Sequence, residues 1–167
     1  MSSKIEEQIK EQLKEQFHRA FYDNIKHSVE TQNYDHIVKL YAEIQDRLAA
    51  FLKKDGPTYN RLKQDFDVPF FEQRLRNNAF DGHSLQSLIH MTFSWVHNLQ
   101  MPIHDTSSNE AKERVTQSGT TMAEVVPTYI KEVHTVINLM EQDMKEFYEN
   151  RNHPVVQEML RKAVNRK

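Results

Sequence analysis

The sequence predicts an all-α fold, a single-domain bundle of about six to eight mostly up-and-down helices around a central uncharged helix. Three observations carry this expectation. Only three glycines and five prolines occur in 167 residues, too few for the turns that a sheet protein of this size needs. Apolar residues recur at three- and four-residue steps along most of the chain. And although 28% of residues are charged, none of the residues between Asp81 and Asp105 is Asp, Glu, Lys or Arg, which marks Gly82 to His104 as the buried centre of the fold.

The first helix is expected to start at Ser3, with Glu6 completing a capping box. Ile5, Ile9, Leu13, Phe17, Ala20, Phe21, Ile25 and Val29 follow as its apolar face. Residues 1–16 are read as a charged N-terminal helix extension, either a solvated helix end or an interaction arm, and residues 17–167 as the helical domain proper. Asp35 starts a second helix whose face is Ile37, Leu40, Tyr41, Ile44, Leu48, Phe51 and Leu52, and Asp55-Gly56-Pro57 ends it. Shorter helices carry Leu62 and Phe66, then Phe70, Phe71 and Leu75. Asp67 is placed to cap the second of these, with Pro69 in its first turn.

Asp81-Gly82 makes a turn into the uncharged helix. At 100° per residue, Leu85, Leu88, Ile89, Met91, Thr92, Phe93, Trp95, Val96 and Leu99 sweep an apolar arc of roughly 200°. At about 1.5–3 kcal/mol per fully buried large side chain, this helix is expected to contribute most to core burial. Pro102 interrupts or ends it. Residues 104–120 read as polar and turn-like, with one short helix around Asn109 to Gln117. Thr121 and Glu124 form a second capping box. A long helix follows with Val126, Ile130, Val133, Ile137, Met140, Met144, Phe147 and Tyr148, and Pro127 in its first turns. A terminal helix after Asn152-His153-Pro154 carries Val155, Val156, Met159, Leu160 and Val164.

Composition excludes several functions. With no cysteine there is neither a disulfide nor a thiolate nucleophile, which fits a reducing compartment. A net charge of −2 gives no long-range field for phosphate backbones. Lys63, Arg74 and Arg76 supply only a small basic surface among acids, so no nucleic acid is expected. The N-terminal residues are polar and lack the apolar region of a leader peptide. The uncharged stretch is interrupted by histidines, serines and glutamines, unlike a membrane span. The expected location is cytoplasmic.

Nine histidines raise the question of metal. His83, His90, His97 and His104 fall seven apart, and seven residues of helix rise about 10.5 Å, too far for two of them to share an ion. No histidine pair has the i, i+3 or i, i+4 spacing of metal-binding helices. The alternative use is a neutral polar strip opposite the apolar arc: His83, Gln86, Ser87, His90, Ser94, His97 and Asn98. The strip is either an ordinary solvent-facing edge or a partner-binding surface. In the second case, association weakens below roughly pH 6 as the imidazoles gain charge. His104-Asp105 has the order of the paired ligands in HD-type metal-dependent phosphohydrolases, but Asp35-His36 is reversed and nothing completes that set. No phosphate-cradling glycine loop and no Gly-x-Ser-x-Gly elbow is present. The residues thus predict no enzyme, no metal and no cofactor.

Five strings, in order, carry a family resemblance. They are Phe17-His18-Arg19-Ala20-Phe21-Tyr22-Asp23-Asn24-Ile25; Tyr34-Asp35-His36-Ile37 with Leu40, Glu43-Ile44 and Leu48; Asp67 and Gln73 with Ala79-Phe80-Asp81; Met101-Pro102-Ile103-His104-Asp105; and Leu139-Met140-Glu141-Gln142-Asp143-Met144. Together the chain resembles the T-complex protein 11 family, which includes a yeast suppressor of kinase loss. The fourth string is similar to that family's Cys/Ala-Pro-Val-Arg-Asp, with His104 in place of the arginine. Family members are usually longer, and this chain resembles their N-terminal part, as a truncated or virus-encoded member. The resemblance implies a non-enzymatic protein-interaction or regulatory protein that modulates signalling around cyclic AMP and its dependent kinase through an unidentified protein partner. Its candidate interaction residues are His83, Ser87, His90, Ser94, His97, His104 and Asp105. The alternatives are the HD-type hydrolase and a structural homo-oligomer, a homodimer among them, built through the charged first helix or the histidine strip.

Overall fold

The computed structural model describes residues 2–166. In chain order they form α1 (Ser2–Glu30), α2 (Asp35–Ala49), α3 (Pro57–Asp65), α4 (Val68–Arg76), α5 (Gly82–Leu99), a 3-10 turn (Pro102–His104), α6 (Asp105–Thr116), α7 (Met122–Glu149) and α8 (Pro154–Arg166). The described residues contain no strand. The predicted all-α, single-domain class holds.

Local chemistry sets the helix starts. Asp67 Oδ1 accepts the Phe70 N–H at 3.1 Å, and Asp81 Oδ1 accepts the Ser84 N–H at 2.8 Å. Both are aspartate N-caps; Asp67 was expected in that role, and Asp81, expected only in a turn, takes it as well. The Ser84 hydrogen bonds hold the Asp81 carboxyl below the usual carboxylate range. At the start of α7, Thr121 Oγ1 accepts from Glu124 N while Glu124 Oε2 accepts from Thr120 N, a capping box with its return bond shifted by one residue. α1 already runs from Ser2, ahead of the predicted cap Ser3.

Two boundaries differ from the sequence expectation. α2 ends at Ala49, so Phe51 and Leu52 lie in the turn that follows, half-buried against the core. α6 begins at Asp105, four residues before the predicted Asn109, because Ser108, Ala111 and Val115 form a narrow buried stripe on an otherwise polar helix.

The core is one cluster. α7 is its hub: α1, α2, α5 and α6 all lie against it, and its buried side chains run from Val125 to Met140. α5 packs on α2, α6 and α7 and buries Leu85, Leu88, Ile89, Thr92, Phe93, Trp95 and Val96. The uncharged helix is therefore central, but it shares that place with the longer α7, which offers a lengthier apolar face. Tyr41 stacks on Phe71 at 4.2 Å and tilts against Phe66 at 5.4 Å, tying α2 to α3 and α4. Trp95 is buried, and its indole donates to Asp65 Oδ2 at 2.8 Å.

Two elements stand partly outside this core. Residues 3–20 of α1 are all exposed, and burial begins at Phe21. On α8, Val155 and Met159 are exposed; Val156, Leu160 and Val164, expected on the same face, lie outside the described side chains.

Candidate functional site

The string Met101-Pro102-Ile103-His104-Asp105 forms the corner between α5 and α6. Gln100 closes α5 with its N–H on Val96 O, and Met101 is extended, as a residue before proline prefers. Pro102, Ile103 and His104 then make one tight turn, and Asp105 opens α6.

Buried polar ties hold the corner. The Gln100 side chain donates from Nε2 to Asp105 Oδ1 at 3.0 Å and to Ser108 Oγ at 2.7 Å, and Ser108 Oγ donates to Asp105 O at 3.1 Å. Gln100 is only 7% exposed and its Oε1 is enclosed with no protein donor among the described residues. Beside it lies a crevice of about 10 Å³ lined by His104, Ser107, Ser108, Val136, Leu139 and Met140, at the lower limit for one water and far below the size of a substrate pocket.

His104 reaches across to α7, where its Nε2 stands 2.8 Å from Asp143 Oδ2. That oxygen is buried without an aligned hydrogen bond, so the contact is one of proximity rather than a directed N–H···O. His97 Nδ1 lies 3.4 Å from Asp105 Oδ1. At the centre of this tied corner Ile103 projects into solvent, 79% exposed, with the partly exposed Leu139 beside the same crevice.

The predicted interaction residues fall into two groups. His83, Ser87, His90, Ser94 and His97 all lie exposed along α5, as a strip. α6 flanks it: Lys112 Nζ donates to His90 Nδ1 at 2.9 Å, and Asp105 meets His97. His104 and Asp105 belong to the corner and are half-buried. Sequence reasoning did not assign Gln100, Ser108 or Asp143 to this site. Asp143 had a signal, since it lies in the fifth family-like string while His104 lies in the fourth; the fold brings these two strings together.

Other polar groups serve the bundle. Glu132 of α7, buried, accepts Arg114 Nε and Nη2 at 3.0 Å each, which raises the guanidinium pKa further. Arg76 binds Asp35 and Glu72, Lys63 binds Asp46, and Arg74 donates to Ala79 O. Two of the three residues of the small basic surface, Lys63 and Arg76, are thus paired with carboxylates. His36 lies edge-on to Phe21 at 5.5 Å, and Asp35 is held by Arg76. Among the described residues no three His, Asp or Glu side chains gather as a metal would require, so the HD-type donor set is not assembled. Among the same residues no helix is long and apolar enough to cross a membrane.

Fold and corner together define a single-domain helical bundle whose distinctive residues build a surface feature. The family model for T-complex protein 11 matches residues 2–159; the chain belongs to the T-complex protein 11 family. No solved structure matches it.

Proposed function

We propose that the protein is a non-enzymatic regulator that acts through protein contacts, with the α5–α6 corner and the adjoining histidine strip as its recognition surface. The carrying observation is the exposure of Ile103 on a turn that buried ties keep fixed. An apolar side chain held in water on a rigid corner costs little entropy to dock and gives an anchor for a partner pocket. The reading extends to signalling around cyclic AMP and its dependent kinase, which the family resemblance implies.

The experiment is affinity capture from eukaryotic cytosol with the wild type and Ile103→Asp in parallel, read by mass spectrometry. Because Ile103 is exposed, the substitution leaves the fold intact. A defined protein held by the wild type and lost from the variant is expected, and addition of the wild type to that partner should alter kinase activity. Identical captured sets from both proteins would overturn the corner as the contact. Hydrolysis of a phosphomonoester by the purified protein with added divalent metal would overturn the non-enzymatic reading.

A further inference from the structure

The first turns of α1 are a four-residue repeat that the bundle leaves uncovered. Ile5-Glu6-Glu7-Gln8, Ile9-Lys10-Glu11-Gln12 and Leu13-Lys14-Glu15-Gln16 follow in register, and Phe17 opens the next step. On a helix of 3.6 residues per turn, a period of four advances about 40° with each repeat. The apolar residues therefore form an i+4 ridge that winds around the helix. The same ridge continues through Phe21, Ile25 and Val29, where it joins the core as α1 lies against α7. Sixteen residues earlier, at Ile9, it has turned by about 160° from Ile25. Ile5, Ile9, Leu13 and Phe17 lie where no neighbour among the described residues covers them, 58%, 49%, 48% and 73% exposed, and the first three also point well away from the azimuth of Ile25.

We propose that this ridge docks a second copy of the chain, through crossed α1 helices related by a two-fold axis. Three observations select that occupant. The exposed ridge is the uninterrupted extension of one that already makes a helix–helix interface, so its side chains have the spacing for packing against another helix. An i+4 ridge fits best against another i+4 ridge, the commonest class of helix crossing, at about −50°, and a second copy supplies one of identical pitch. The charges also suit self-pairing. Between residues 4 and 19, Lys4, Lys10, Lys14 and Arg19 balance Glu6, Glu7, Glu11 and Glu15, so this helix offers no complement to a strongly charged partner or an anionic lipid surface.

The rows beside the ridge agree with a two-fold arrangement. Gln8, Gln12 and Gln16 flank it on one side, and Glu6, Lys10 and Lys14 on the other. An axis between Ile9 and Leu13 sets the glutamine rows against each other and brings Glu6 of each copy toward Lys14 of the other. Glu7, Glu11 and Glu15 lie on the far side, in water. A winding ridge touches its partner only near the crossing, so the interface is smaller than the roughly 1,200 Å² of a standard stable complex. The dimer is therefore reversible. This surface is separate from the α5–α6 corner and does not rest on the function proposed for it.

Sedimentation equilibrium of the full chain from about 1 µM to about 500 µM tests the proposal. The weight-average mass should rise from the 19.9 kDa monomer toward twice that value. Ile9→Glu with Leu13→Glu should hold it at the monomer mass with unchanged helical circular dichroism. Since the chain has no cysteine, a single introduced thiol reports geometry: Gln12→Cys should form a disulfide-linked dimer under mild oxidation, and Glu11→Cys, on the opposite face, should not. A wild type that stays monomeric throughout would overturn the proposal, including one that instead floats with phosphatidylcholine vesicles. So would a charged double variant that still dimerises, or Glu11→Cys linking as fast as Gln12→Cys.

Discussion

Tyr129 carries a phenol into the centre of the bundle, where Thr92 Oγ1 stands 2.8 Å away. The single threonine proton is committed to Leu88 O at 2.8 Å, so the phenol donates to the threonine. Burial raises the Tyr129 pKa and keeps that proton in place. Thr92→Val should therefore cost about 1–2 kcal/mol by leaving a buried hydroxyl unpaired. The double variant with Tyr129→Phe should cost less than the sum of the two single changes; urea unfolding measures both, and strict additivity would contradict the pairing. His134 gives the second residue-scale prediction. Burial and then the nearby Arg47 lower its pKa, against a smaller opposing effect of Glu43, and its Nε2 is enclosed without a partner among the described residues. The native state thus binds fewer protons at this site than the unfolded chain. The stability linked to it is complete above the unfolded histidine pKa of about 6.5 and is lost as pH falls below that value. The melting temperature of His134→Phe should accordingly gain on the wild type between pH 7.5 and 5.5. A constant difference across that window would contradict the assignment.

At the scale of elements, periodicity located the helices well wherever a wide apolar face was present, as in α2, α5 and α7. It failed where the buried stripe was narrow. In α6 the inward positions are Ser108, Ala111 and Val115, and Ser108 reads as a loop residue because its burial depends on Gln100, a distant hydrogen-bond partner that no local pattern reveals. The long face of α1 shows another limit. A three- and four-residue pattern says that a helix has an apolar side, but not whether a neighbour reaches it. The strict period of four was visible in the sequence, but residues 3–20 are exposed on every side, so the first half is uncovered because no other described helix reaches it. The corner was legible as a string, whereas its ties to Ser108 and Asp143 required the fold. A prediction belongs here: because residues 3–16 bury nothing, a chain beginning at Phe17 should melt within about 2 °C of the full chain when both are dilute. Phe66→Ala, which empties a fully buried site, should cost about 3–5 kcal/mol. A loss of stability on truncation comparable to that of Phe66→Ala would place the first turns of α1 inside the core.

For the molecule as a whole, one core closes on α7 and α5 and leaves its distinctive residues on surfaces. The α5–α6 corner is fixed by buried polar side chains, and the crevice behind it has no room for a substrate. The first half of α1 offers a different surface, an apolar ridge on a neutral helix. The molecule therefore divides into a rigid body that presents the corner and an arm that the body does not need for folding. Native-state hydrogen exchange at dilute, monomeric concentration tests that division most directly. Amides of residues 84–96 and 125–140 should exchange only through global unfolding, with residues 105–115 close behind, while residues 3–16 exchange through local fraying at far lower free energy. Protection over residues 3–16 equal to that of residues 125–140 would contradict the account.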